Sequence, residues 1–145
     1  MRLFLSLATA AILSASLGAA QQSTPADPQS DLGPPLTAEQ FNARTLGRTI
    51  TYSSHGQPYG TEQYKPGHKV IWAFTADECK EGDWYQDGQY ICFDYGQELP
   101  LQCWTFYDGA QGLVAKFRGD PASEPLVSLS ESHAPLSCQG PGVGV

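Results

Sequence analysis

Four cysteines constrain the fold of this chain more than any other feature of its sequence. Cys79, Cys92 and Cys103 lie in one aromatic-rich block, and Cys138 follows near the carboxyl end. The segments between them are rich in aromatic and β-branched residues, which is typical of antiparallel strands. No Cys-x-x-Cys pair and no histidine at ligand spacing accompanies them, so the sequence indicates no metal site. It predicts two disulfides that hold a small sheet together.

The amino terminus predicts an oxidising compartment for these disulfides. Residues 1–20 indicate a signal peptide, with a minimal basic start, an apolar stretch and small residues at 18–20. The apolar stretch is short for a membrane span, so we expect a periplasmic or secreted protein without a membrane anchor after cleavage. The polar, Pro-rich residues 21–35 predict a disordered linker, and the Gly/Pro-rich residues 139–145 predict a flexible tail. A single disulfide-linked domain is expected over residues 36–138.

Local signals predict one short helix at the start of this domain. Thr37 and Gln40 have the spacing of a capping box, and Leu36 and Phe41 have that of a hydrophobic staple. Gly47 is suited to end the helix in a left-handed conformation. A helix of this length is not stable alone in water, so we expect Phe41 and Leu46 to dock it on a sheet.

After this helix the sequence predicts a mainly β domain, an antiparallel meander or small up-and-down barrel of about seven or eight short strands. Turn residues separate the candidate strands, which are residues 49–53, 60–64, 69–74, 84–85, 89–95, 102–107, 113–117 and 126–128. Glu62 lies in one of them, and alternation leaves open whether it faces outward or into a barrel. The acidic residues from Asp77 to Asp87 are expected to form a solvated turn.

The spacing of two cysteines predicts a specific hairpin register. If the loop is centred on residues 97–98, Cys92 lies opposite Cys103 and Ile91 lies opposite Trp104. A Cys92–Cys103 disulfide then occupies one face of the hairpin and apolar side chains the other. Of the three possible pairings, this one leaves Cys79 to pair with Cys138.

The same block resembles a family of small exported alphaproteobacterial proteins of unknown function. That family has a short Thr-Ala-Glu-x-(Phe/Leu) helix ending at Gly, a Gly-x-Trp…Gly-x-x-(Ile/Leu)-Cys strand pair and a Cys-(Trp/Tyr)-x-(Phe/Val) strand. The matching residues here are Thr37, Ala38, Glu39, Phe41, Gly47, Gly82, Trp84, Gly88, Ile91, Cys92, Phe93, Cys103, Trp104, Phe106 and Tyr107. Cys79 and Cys138 are additions to the plainer family pattern. The resemblance implies a single exported β-domain and carries no activity or site residue.

The net negative charge of the chain disfavours partners that are themselves negatively charged. The chain has 15 acidic and 8 basic residues, for a net charge of −7, which disfavours nucleic acid and anionic membranes as partners. His55, His68 and His133 are expected to be exposed loop residues. No Gly-x-Ser-x-Gly motif is present, and the sequence indicates no catalytic residue and no cofactor.

Aromatic residues are the strongest binding signal in the sequence. Most should form the core, but Trp72, Trp84, Tyr85 and Trp104 are candidates for a binding surface. We therefore expect a non-enzymatic exported domain that binds a small apolar molecule, a sugar or a protein through an aromatic face or barrel mouth. An inhibitor of a basic exported or cell-wall hydrolase is the alternative, since charge complementarity speeds encounter. A small hydrolase is a third hypothesis.

Overall fold

The computed structural model describes residues 32–74, 78–97 and 99–138, and they form an eight-stranded antiparallel barrel. Each strand pairs with the next, and the last pairs with the first, so the sheet closes. The strands are β1 (Thr49–Ser54), β2 (Gln57–Lys65), β3 (Lys69–Ala73), β4 (Cys79–Asp87), β5 (Tyr90–Asp94), β6 (Gln102–Gly109), β7 (Gly112–Phe117) and β8 (Leu126–Ser132). Helix α1 (Ala38–Thr45) precedes them. The prediction of a mainly β fold is confirmed. Residues 1–31 and 139–145, with the predicted signal peptide, most of the linker and the tail, lie outside the described residues.

Helix α1 begins and ends where its local signals predict. The Thr37 hydroxyl accepts a hydrogen bond from the Gln40 amide at 3.3 Å, and the Gln40 side chain accepts one from the Thr37 amide at 2.9 Å. Gly47 follows the helix with a φ of 74°. Phe41 is completely buried, whereas Leu46 is 44% exposed. The expected docking by Leu46 is therefore wrong. Thr45 is buried instead, and its hydroxyl donates to the Phe41 carbonyl at 2.8 Å.

Helix α1 closes one end of the barrel. The Phe41 ring lies 4.5 Å from Phe106 and 5.1 Å from Trp84, measured between ring centroids. The Leu36 amide donates to the Phe106 carbonyl at 2.7 Å, which joins the residues before the helix to β6. Arg44 reaches the far side of this end and donates to both carboxylate oxygens of Glu131 in β8. The helix is thus fixed to the sheet by packing in the middle and by hydrogen bonds at its edges.

Strand β4 is the largest difference between the predicted and observed strands. The sequence predicts only residues 84–85 as strand, within an acidic turn, but the strand runs for nine residues from Cys79 to Asp87. Its first half pairs with β3, where Lys69 lies opposite Asp83 and their charged groups form an ion pair. The acidic residues of β4 are therefore strand residues, mostly on its exposed side. The acidic turn predicted here is wrong for residues 79–87, and residues 75–77 lie outside the described part of the chain.

The predicted disulfides and hairpin register are confirmed. Cys92 pairs with Cys103, and Cys79 pairs with Cys138. In the β5–β6 register, Cys92 lies opposite Cys103 and Ile91 lies opposite Trp104. Two disulfides indicate an oxidising, non-cytoplasmic compartment. Among the described residues, no helix is long and apolar enough to cross a membrane.

A cavity lined by aromatic residues

The barrel contains a cavity that reaches the surface at the end opposite helix α1. Its volume is about 210 Å³. An eight-stranded barrel has an interior just wide enough to be filled by side chains or to hold one small ligand. Here the helix end is filled and the other half is open. The lining residues are Tyr52, Tyr59, Glu62, Trp72, Phe74, Phe93, Tyr95, Leu99, Gln102, Trp104, Phe106, Ala115 and Leu126.

The closed inner end of the cavity, its floor, is formed by aromatic rings that also pack around Phe41 of the helix. Phe93 and Phe106 both line the cavity, and both contact Phe41 from the other side. Since strand side chains alternate between the two faces, these inward residues occupy every second position of their strands. Docking of the helix therefore fixes the depth of the cavity.

Two glycines in the sheet make room for large aromatic rings inside the barrel. A Cβ atom at Gly60 would overlap the indole of Trp72. One at Gly82 would lie 2.6 Å from the Asp94 carbonyl oxygen and 2.7 Å from Cδ1 of Tyr95. Neither position can accept a larger side chain without displacing its neighbour. Gly82 thus allows Tyr95, just beyond the end of β5, to turn its ring into the barrel.

Glu62 is a buried carboxyl group on the cavity wall. Only 3% of its surface is exposed, and in β2 it lies between Ile50 of β1 and Trp72 of β3. Tyr95 donates a 2.5 Å hydrogen bond to Oε1, and Tyr64 donates one of 3.1 Å to Oε2. The Tyr64 hydroxyl also contacts the Tyr52 hydroxyl at 2.8 Å. Three tyrosines and one carboxyl group therefore form a continuous network.

Burial determines the protonation of this network. It raises the pKa of Glu62 to about 8, while the hydrogen bonds from Tyr95 and Tyr64 act in the opposite direction. Burial also raises the pKa of Tyr52, Tyr64 and Tyr95 above the ordinary tyrosine range. The hydroxyls consequently remain donors at any physiological pH. Glu62 is the member of the network that can change its charge near neutrality.

Aromatic side chains form the rim of the cavity. The rings of Tyr59, Trp72 and Phe74 contact one another, with centroid separations between 5.3 and 6.1 Å. Tyr59 and Phe74 are exposed, while Trp72 is buried beneath them. An exposed group of large apolar side chains around a concavity is typical of a binding site.

The four aromatic residues proposed from sequence lie in three different places. Trp72 and Trp104 line the cavity. Trp84 is buried at the helix end, where the His68 ring stacks on it at 4.0 Å. Tyr85 is exposed on the outer surface of β4. The cavity thus brings together only two of the four.

The polar part of the site is not identified by the sequence. Alternation leaves Glu62 open between two faces, and no motif singles out Tyr95. The sequence offers one indirect indication, Gly82 in β4, because a glycine in a strand often marks a close approach by another group. In the fold that group is Tyr95.

The histidines contribute no enclosed reactive centre. His55 Nδ1 lies 3.2 Å from the Ser54 hydroxyl, and its Nε2 lies 3.5 Å from Glu124. This group resembles a nucleophile–base pair in its composition, but the His55 side chain is 75% exposed in a hairpin turn. His133 contacts the Gly47 carbonyl at 3.0 Å. Within the described ranges, no cluster of His, Cys, Asp and Glu could hold a metal ion.

Comparisons of the chain with protein-family models, with curated proteins and with solved structures find no significant match. The resemblance to small exported alphaproteobacterial proteins stays a prediction.

Proposed function

We propose that this chain is a non-enzymatic periplasmic or secreted protein that binds a small, largely apolar molecule inside its barrel. The observation that carries the proposal is the aromatic cavity of about 210 Å³ at the end of the barrel away from α1. Preformed concave sites with apolar walls and a few polar groups are the usual binding sites for small molecules. This site combines aromatic walls with one buried acid and one amide side chain.

The architecture supports a cavity that exists before the ligand arrives. In the described barrel the sheet has no free edge, since every strand is paired on both sides. The Cys92–Cys103 disulfide joins β5 and β6, which both contribute lining residues. A rigid wall reduces the entropy lost on binding, because fewer side chains and strands become ordered at that step.

Tryptophan side chains offer a direct test of binding. The chain has three tryptophans, two in the cavity wall and one, Trp84, at the helix end. In ¹H–¹⁵N spectra of the ¹⁵N-labelled, disulfide-bonded protein, titration with benzyl alcohol should shift the indole N–H signals of Trp72 and Trp104. The Trp84 signal should move far less and serves as the internal control.

A cavity-filling substitution provides the matched variant. Ala115→Phe places a ring in the cavity and should abolish the shifts, whereas Tyr85→Ala removes an aromatic ring from the outer surface and should leave them unchanged. Retention of the barrel in both variants is checked by far-UV circular dichroism. Equal shifts at all three indoles, or binding that survives in folded Ala115→Phe, would contradict the proposal.

A further inference from the structure

Among the described residues that line the cavity, Glu62 is the only one with an acidic or basic side chain. Burial of an ionised carboxylate is costly unless a cation or several hydrogen bonds accompany it. Glu62 takes part in none of the ion pairs found among the described residues, which lie on the outer surface or at the helix end. A negative charge at this position is thus incompletely compensated by the described residues.

The hydrogen bonds around Glu62 are nevertheless suited to the ionised form. Tyr95 donates to one oxygen and Tyr64 donates to the other, and Tyr52 extends the chain of hydroxyls behind Tyr64. Both carboxylate oxygens are therefore already acceptors. Hydrogen bonds of this kind stabilise the charged form of an acid. What the described lining of the cavity lacks is a positive charge.

The remaining walls are suited to a positive charge carried by an organic group. Faces of Trp, Tyr and Phe attract cations through their quadrupoles, most strongly when water is excluded. Trp72 lies beside Glu62 in the strand register, and Tyr95 is held against its carboxyl group. Alkyl groups on an ammonium ion would at the same time bury apolar surface against these rings.

We propose that the cavity selects a small organic ammonium ion, whose charge pairs with Glu62 and whose alkyl groups contact the surrounding aromatic rings. This inference rests on the proposed binding function and adds the chemical class of the ligand. Neutral apolar molecules of the same shape bind the ionised form more weakly because they bring no positive charge to the buried carboxylate.

Binding of such a cation is coupled to release of a proton. Burial raises the pKa of Glu62 to about 8, so the group is mainly protonated at neutral pH. Pairing with an ammonium ion requires the carboxylate, and the proton passes to solvent. Within the described ranges, the titratable groups that interact with Glu62 are Tyr52, Tyr64 and Tyr95, which stay protonated. Lys80 in β4 is half-buried and lies opposite Trp72 in the strand register. Its influence on the charge of Glu62 is therefore tested together with that of the tyrosines.

An isosteric pair of ligands isolates the contribution of charge. Choline and 3,3-dimethylbutan-1-ol have the same shape and differ in the quaternary nitrogen, which does not titrate. Affinities are measured from the Trp72 and Trp104 indole shifts in the full chain at pH 6 and pH 9. Choline should bind more tightly than the alcohol at pH 9. Its affinity should rise roughly 10- to 100-fold between the two pH values, whereas that of the alcohol should stay nearly constant.

Two variants identify the responsible group. Glu62→Gln keeps the shape of the side chain and should remove both the preference for choline and its pH dependence, while binding of the alcohol is retained. Lys80→Gln should leave both properties of choline binding unchanged. Tyr95→Phe tests the role of the Glu62 carboxyl group in a second way. It removes a donor that lowers the pKa of Glu62, so the choline profile should move to higher pH.

The outcomes separate this inference from the function on which it rests. If both ligands shift the Trp72 and Trp104 indoles with equal affinity at both pH values, the ammonium assignment is overturned and the binding function stands. If neither ligand shifts these indoles and benzyl alcohol also fails, the binding function itself is overturned. A pH dependence that is lost in Lys80→Gln but kept in Glu62→Gln would also overturn the assignment to the carboxyl group.

Discussion

At the scale of single residues, Glu62 is the position where stability and binding are in conflict. Its carboxyl group is held in an apolar interior by two tyrosine hydroxyls. An apolar side chain of similar size would avoid the desolvation cost of a charge there. The functional reason we propose for the acid is recognition of an ammonium ion. Its structural consequence is that the stability of the protein depends on pH.

Glu62→Gln should change how stability varies with pH. The ordinary pKa of this carboxyl group is 4.5, and burial raises it to about 8 in the fold. The stabilisation from the protonated native form is therefore complete below about pH 4.5 and is lost as pH rises toward 8. Since a tenfold difference in proton affinity between the folded and unfolded chain corresponds to about 1.4 kcal/mol, the loss amounts to a few kcal/mol. Glutamine does not ionise, so the variant should gain stability relative to wild type across this range.

Urea unfolding followed by tryptophan fluorescence at pH 4, 6 and 8.5 measures this difference. Glu131, whose pKa is lowered chiefly by its hydrogen bond from Arg44, loses its stabilising effect as pH falls through its folded-state pKa. That effect is common to both proteins and cancels in the comparison. Parallel stability curves for wild type and Glu62→Gln would show that the carboxyl group is not buried as the structure places it.

At the scale of elements, helix α1 functions as a plug for one end of the barrel. Its eight residues are too few to form a stable helix in isolation. The ring of Phe41 packs inside a cluster shared by β2, β4, β5 and β6. The floor of the cavity rests on the same cluster, so loss of the plug should affect the site as well as the helix.

Phe41→Ala should destabilise the protein much more than Leu46→Ala. Removing a completely buried phenylalanine costs about 3–5 kcal/mol, and Phe41 is 0% exposed. Leu46 is 44% exposed at the end of the same helix, and its truncation should cost less than about 1 kcal/mol. Chemical unfolding gives both values, and hydrogen exchange shows whether the α1 amides lose protection. Similar losses for the two variants would contradict the docking of the helix through Phe41.

The elements also show which parts of the fold the sequence could predict. Capping residues and alternating aromatics act locally, so the helix boundaries, the β5–β6 register and the disulfides were predictable. Strand β4 was not, because its acidic residues have low strand propensity. Pairing with β3 on one side and β5 on the other overrides that local preference. In β2 both faces carry polar residues, so only closure of the barrel determines that Glu62 points inward.

At the scale of the whole molecule, the barrel is closed by hydrogen bonds and tied by two disulfides of different reach. Cys92–Cys103 spans 11 residues within one hairpin, whereas Cys79–Cys138 spans 59 residues. The longer loop contains β4 to β8 and joins the chain beyond β8 to the first residue of β4. Residues near Cys138 also bind β1 and β2, through the Ala134 carbonyl and the Leu136 amide. When the chain is unfolded, the longer disulfide thus restricts most of the residues that form the barrel.

Removal of the longer disulfide should therefore cost more stability than removal of the shorter one. Loop-closure entropy predicts about 4 kcal/mol for Cys79→Ala/Cys138→Ala and about 3 kcal/mol for Cys92→Ala/Cys103→Ala. Urea unfolding of the two double variants, compared with the oxidised wild type, measures both losses. Cys92 is completely buried, so lost packing adds to the cost of the hairpin variant and makes the comparison conservative. If the hairpin variant were nevertheless the less stable, side-chain packing around Cys92 would outweigh restriction of the unfolded chain. If neither variant lost stability, closure of the sheet alone would be sufficient to hold the barrel.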